Sequence, residues 1–147
     1  MEDYRKFIED GWNAYFARDL EACMAFYTED AEVVLPGSPP IQGKDAIRGA
    51  WQMYMTAFPD EHPTQIRHLV DGNTVVTECK TEATHNGPLM LPTGDTLPPT
   101  GRKVSNSSVA VQDMEGGKLA KQVFYFNLVE LLQQLGVMPT TQGAPAS

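Results

Sequence analysis

The 147-residue chain has two cysteines, three histidines and no cluster of lysine or arginine. Each shortage closes off a class of function. Cys23 and Cys79 show no metal-ligand spacing and read as buried small hydrophobes that stay thiols in a reducing compartment. The spacing of His62, His68 and His85 does not suit a metal either, so no metal and no organic cofactor is expected. Eleven basic residues against nineteen acidic ones give a formal net charge of −8, which repels a polyanion and argues against a nucleic-acid partner. No stretch approaches the roughly 18 apolar residues of a spanning helix, and the start MEDYRKFIED is acidic and amphipathic rather than signal-like. A cytoplasmic location with no membrane partner is the expectation.

What the chain does have is an ordinary globular composition, 41% hydrophobic and 20% charged. That is enough for one domain with a core or a modest ligand cavity. The domain is expected over 1–139, and the small polar stretch TTQGAPAS at 140–147 is expected to be a flexible tail. Residues 3–17 set Tyr4, Phe7, Ile8, Trp12, Tyr15 and Phe16 at helical spacing. Asp19 suits the N-cap of a second short helix that turns Leu20, Cys23, Met24 and Tyr27 inward. AEVVLP then reads as a strand stopped by PGSPP, and GKDAIRGAWQMYMTAFP as a third helix ended by Pro59.

From residue 63 the apolar period shortens to about two. Strands are expected at 64–71, 74–85, 102–114 and 118–126, with turns at DGN and EGGK, and a last helix at 128–135 stopped by Gly136. Helices first and antiparallel strands second predict an α+β class, three helices on one face of a curved sheet with a short helix at the end. The strand at 74–85 alternates a charged ladder, Glu78, Lys80 and Glu82, with Val75, Thr77, Cys79, Thr81, Ala83 and His85. Small, mildly polar residues are poor filling for a solid core, so the second face is expected to border a cavity. The long segment 86–101 carries Leu89, Met90, Leu91 and Leu97 among prolines and glycines, which suggests a lid or a subunit contact.

The stretches FYTEDAEV, IQGKDAIRGAW, LPPTGRKV, EGGKLAKQ and LLQQLGV, in that order, resemble the SnoaL-like polyketide cyclase family, a branch of the cone-shaped nuclear transport factor 2-like fold. The resemblance spans about residues 5–139. It implies a pocket at the open end of a cone-shaped α+β barrel, and a ring closure by intramolecular aldol condensation without metal or organic cofactor. In such chemistry an acidic side chain transfers protons and hydrogen-bond donors hold the enolate oxygen. Burial is what raises a carboxylate toward neutral pH.

Three positions depart from that pattern. The family's catalytic aspartate falls on Asn127, a family histidine near Ala110, and the base of the related ketosteroid isomerases on Leu35. An amide cannot take a proton near neutral pH. NLVE also places Asn127 at an N-cap with Glu130 three residues on, a capping-box pattern that asparagine and aspartate serve about equally. Asn127 is expected to cap the helix and point its amide into the pocket, and His85, at the pocket mouth, is the expected base. His62 reads as a loop residue, and Glu78 and Glu82 as solvated. The facing of the strands at 64–71, 102–114 and 118–126 is left open, His68 with it. The expected ligand contacts are Trp12, Tyr15, Phe16, Trp51, Met55, Phe58, Cys79, Thr81, Met90, Asn106, Ser108 and Tyr125. The reading is a cofactor-independent cyclase or isomerase of a hydrophobic ketone, with a non-catalytic binder of such a molecule as the alternative. The partners expected are a hydrophobic small molecule and a second copy of the chain, paired through the outer sheet face.

Overall fold

Helix α1 (Tyr4–Phe16) buries the stripe its periodicity announces, with Ile8 at its centre. The computed structural model describes residues 4–137; the tail expected over 140–147 and the last residues of the expected domain lie outside them. Helix α2 (Leu20–Met24) is capped by Asp19, whose carboxylate accepts from the Ala22 N–H at 3.1 Å. Tyr27, expected from the sequence in the second helix, instead opens strand β1 (Tyr27–Val34). Pairing with Leu119 draws it into the sheet. Strand β2 (Ile41–Gln42) follows the PGSPP turn, too short to read from sequence, and helix α3 (Lys44–Ala57) buries Ile47, Trp51 and Met55.

The remaining strands of the main sheet are β3 (His62–Asp71), β4 (Thr74–Thr84), β7 (Lys103–Glu115) and β8 (Lys118–Phe126), and helix α4 (Leu128–Gln134) follows them. His62, expected in a loop, is the exposed first residue of β3. With β1 and β2 they form one sheet in the order β2-β1-β8-β7-β4-β3, antiparallel except for β1 on β8. Register shifts interrupt β3 at Pro63/Gln65 and β8 against β7 at Asp113/Met114, and such bulges sharpen twist and help a sheet curl. The helices cover the concave side, giving the expected α+β cone. On β4 the small residues face inward and Glu78, Lys80 and Glu82 face water. The open facings are now fixed by register: Asn106 pairs with Thr81, Ser108 with Cys79, and His68 with Thr77, all inward.

The segment 86–101 is not a free loop. Strands β5 (Leu89–Met90) and β6 (Thr96–Leu97) pair within it, and its start is pinned to the end of α3. The Asn86 and Gly87 N–H groups both donate to the Ala57 carbonyl, at 2.9 and 3.2 Å. A Cβ on Gly87 would lie 2.1 Å from the Thr56 carbonyl oxygen, so only glycine allows this approach. Leu89 is thereby buried in a second core cluster with Ala57, Phe58, Ala83, Val104 and Leu135.

The outer face of the sheet carries, beside the charged ladder, an apolar row that crosses five strands. Register sets Leu69 beside Val76, Val76 beside Val111, Val111 beside Val123 and Val123 beside Val34. Leu69 is exposed and the four valines are half-buried.

Candidate functional site

Between the helices and the concave face lies a cavity of about 1120 Å³, part of it open to solvent. Its walls are aromatic: Trp12, Tyr15 and Phe16 from α1, Trp51 and Tyr54 from α3, Phe58 beyond it, and Phe124 and Phe126 from β8. The expected contacts Trp12, Tyr15, Phe16, Trp51, Phe58, Thr81, Asn106 and Ser108 all line it.

Its floor is polar and satisfied. The Trp51 Nε1–H donates to the Tyr27 hydroxyl at 3.1 Å, which donates to Gln122 Oε1 at 2.6 Å. Gln122 Nε2 and Trp12 Nε1 both donate to Gln112 Oε1, at 2.9 and 2.8 Å. Gln112 Nε2 donates to Thr77 Oγ1 at 2.8 Å and to the Val75 carbonyl at 3.2 Å. The Thr77 hydroxyl also hydrogen-bonds His68 Nδ1 at 2.8 Å. Burial lowers the His68 pKa, which favours the neutral ring.

The other expected site residues lie elsewhere, each for a local reason. Asn127 is exposed and outside the cavity wall; its Oδ1 accepts from the Glu130 N–H at 2.9 Å and caps α4. His85 is fully buried but sits behind Phe58, ring centroids 5.6 Å apart. The Thr100 N–H donates to its Nδ1 at 3.2 Å, which puts the proton on Nε2, a nitrogen with no partner among the described residues. Burial lowers the His85 pKa, opposed by the Gly87 backbone, and the ring does not line the cavity. Met55 is buried against other partners, and Tyr125 points outward from β8, 59% exposed. Cys79 is buried beside the cavity without lining it, and its thiol is pushed up to about 12, first by burial and then by Glu61. Met90 is exposed on the β5–β6 hairpin, and neither it nor Leu89 or Leu91 touches the cavity. The segment expected as a lid or a subunit contact packs through Leu89 in the cluster of Phe58 rather than over the cavity. Leu35 does line the cavity; Ala110 is buried outside it.

The residue that sequence reasoning missed is Glu61. It follows α3 in the connection to β3 and lines the cavity, half-buried. Desolvation raises its pKa above the ordinary 4.5. Hydrogen bonding from the Thr81 hydroxyl, the charge of Arg18 and hydrogen bonding from Tyr15 resist that rise, while Asp60 adds to it. Tyr15 is itself held protonated far above its usual range by burial and by Glu61. Its neighbour Asp60 turns the other way, accepting from the Thr84 N–H at 2.6 Å and the Thr84 hydroxyl at 2.7 Å. In sequence the two acids of DEHP are equivalent, and only these contacts tell them apart.

A raised carboxylate carries a sign that stability measurements can read. Below pH 4.5 both folded and unfolded Glu61 hold the proton, and the residue costs nothing. Above it the unfolded chain ionises first, so stability falls with rising pH and levels off once the folded carboxyl has ionised. Glu61→Gln is expected to lack this decline and to be the more stable protein at pH 7. Denaturant titrations of both between pH 4 and 8 check it, and parallel profiles would contradict it.

Comparison with known proteins agrees with the cone and its aromatic cavity. The sequence model of the SnoaL-like polyketide cyclase family matches residues 2–135. A search of curated proteins returns no match. Among solved structures, a candidate polyketide cyclase from Xanthomonas campestris pv. campestris superposes with a TM-score of 0.77 at 21% identity, covering 88% of this chain and 94% of that one. A second, from Pseudomonas putida KT2440, gives 0.79 at 18% identity, covering 91% and 98%. IdmH, a candidate polyketide cyclase from Streptomyces antibioticus, gives 0.71 at 27% identity, covering 90% and 97%. The match over nearly the whole chain decides the matter: this protein belongs to the SnoaL-like polyketide cyclase family.

Proposed function

We propose that the protein catalyses an aldol-type cyclisation or isomerisation of a hydrophobic, enolisable ketone, with Glu61 as its general acid and base. The observation that carries this is a desolvated carboxyl facing an aromatic cavity, in a family member whose expected acidic position holds an amide. Glu61 in its ionised form removes a proton from the carbon next to the substrate carbonyl. The enolate oxygen accepts hydrogen bonds from the Asn106 amide and the Ser108 hydroxyl, which line the same cavity. The enolate carbon attacks a second carbonyl, and the proton on Glu61 passes to the alkoxide so formed. Tyr15 and Thr81, hydroxyl-bearing neighbours that favour the Glu61 carboxylate, orient it between the two steps. The walls exclude water and stack on a flat substrate.

The test is solvent deuterium exchange at the α-carbon of a naphthyl ketone, a reaction that needs only the proton-transfer half. Wild type is expected to catalyse it, Glu61→Gln to lose about 100-fold or more, and Asn127→Ala to retain it. Full activity in Glu61→Gln would overturn the assignment. A wild type that binds the ketone without exchange would favour the alternative, a ligand carrier, for which the amide at 127 also speaks.

A second copy of the chain is part of this reading. The apolar row Leu69, Val76, Val111, Val123 and Val34 supports a two-fold contact through the outer face. Sedimentation equilibrium is expected to give twice the 16.2 kDa chain mass, and Leu69→Lys to shift the equilibrium toward monomer. A 16.2 kDa species alone at micromolar concentration would contradict it.

A further inference from the structure

Arg18 is the only described residue other than glycine with positive φ, at 62°. It stands one place past the end of the cap of α1, where the Arg18 N–H donates to the Tyr15 carbonyl at 3.0 Å and the Asp19 N–H to the Ala14 carbonyl at 3.0 Å. That pair of bonds is a Schellman turn, and the position strongly favours glycine because a Cβ crowds the left-handed backbone. A strained residue kept at such a place points to a task for its side chain.

The side chain has one. The guanidinium donates to four backbone carbonyls: Phe16 at 2.7 Å, Phe58 and Pro59 at 3.1 Å each, and Glu61 at 2.9 Å. The first belongs to the end of α1, the other three to the connection that follows α3. We infer that Arg18 is a positioning residue, a fork that ties these two chain segments together and so fixes the place of the Glu61 carboxyl in the cavity. It does not line the cavity. A lysine has one ammonium where this contact needs a planar set of donors spread over four acceptors. The charged and titratable groups that bear on Glu61 are Arg18 and Tyr15 from the α1 end, Asp60 from its own segment and Cys79 from β4. Among them only Arg18 is cationic, and its charge favours the carboxylate.

The inference rests on the reading of Glu61 as the acid and base, and its test reads Glu61 without turnover. The carboxyl resonance of Glu61, assigned by its loss in Glu61→Gln, is followed by 13C NMR against pH. Arg18→Gly suits the turn, so the chain is expected to fold with a thermal midpoint near that of wild type. Its Glu61 midpoint is expected to move up by about half a unit or more, through loss of the cation and the hold on the segment. Arg18→Lys is expected to fall between the two proteins in midpoint, and below wild type in deuterium exchange. An unmoved midpoint in folded Arg18→Gly would overturn the inference. If Arg18→Gly does not fold, an Arg18→Lys protein matching wild type in both midpoint and exchange would overturn it instead. Full exchange activity in Glu61→Gln would sink the role of Glu61 while leaving the link between Arg18 and its carboxyl standing.

Discussion

The hydrogen-bonded chain across the cavity floor is the constraint the rest of the molecule has to meet. Gln112 is fully buried and uses its entire capacity, two bonds accepted at Oε1 and two donated from Nε2. Its direct partners come from α1, β4 and β8, Tyr27 of β1 and His68 of β3 stand one step further, and Trp51 of α3 one step beyond Tyr27. Each helix that roofs the cavity and touches this chain is thus fixed at one atom to the floor. A buried polar group left without its partner costs about 1–3 kcal/mol, so the elements cannot slide independently. A solid apolar core could tolerate such slippage more easily. This network holds the walls apart at a set distance and leaves space between them.

Given that space, the position of the ionisable group follows from what each wall can carry. Strand β8 is followed by Asn127, whose oxygen is committed to the Glu130 N–H in the first turn of α4. The polar sheet residues that line the cavity are hydroxyls and amides, none of which takes a proton near neutral pH. The remaining approach is the connection between α3 and β3, and it brings Glu61. An acid there is desolvated by aromatic neighbours yet anchored by hydroxyls, the balance a proton-transfer group requires. Two contacts from distant parts of the chain hold the connection: Arg18 from the end of α1, and Thr84, to which Asp60 is tied. The proposal therefore moves the acid-base role to another wall of the same cavity and keeps the cavity itself.

What could be read from the sequence was whatever local pattern determines. The alternation on β4 gave the inward face correctly, because side-chain direction on a strand depends only on parity. The cap at Asn127 was legible because it lies within four residues of its partner. His85 was placed on the right face but at the wrong depth, since its burial depends on Phe58 and on the segment from Gly87 to Leu89 folding back over it. Met90 and Tyr125 failed for a related reason, as the small hairpin and the phase of β8 are set by pairing rather than by composition. Glu61 was beyond reach because nothing within the DEHP stretch distinguishes it from Asp60; the difference is made by Arg18 and Thr84, 43 and 24 residues away from their partners.

The most direct measurement is a crystal structure with a naphthol in the cavity, a flat molecule whose hydroxyl imitates an enolate oxygen. The account predicts the ring stacked among Trp12, Trp51 and Phe58, the oxygen within hydrogen-bonding reach of Asn106 or Ser108, and the Glu61 carboxyl over the neighbouring ring carbon. An oxygen held instead by Asn127 or His85, or a ring seated outside the cavity with Glu61 turned to solvent, would contradict it.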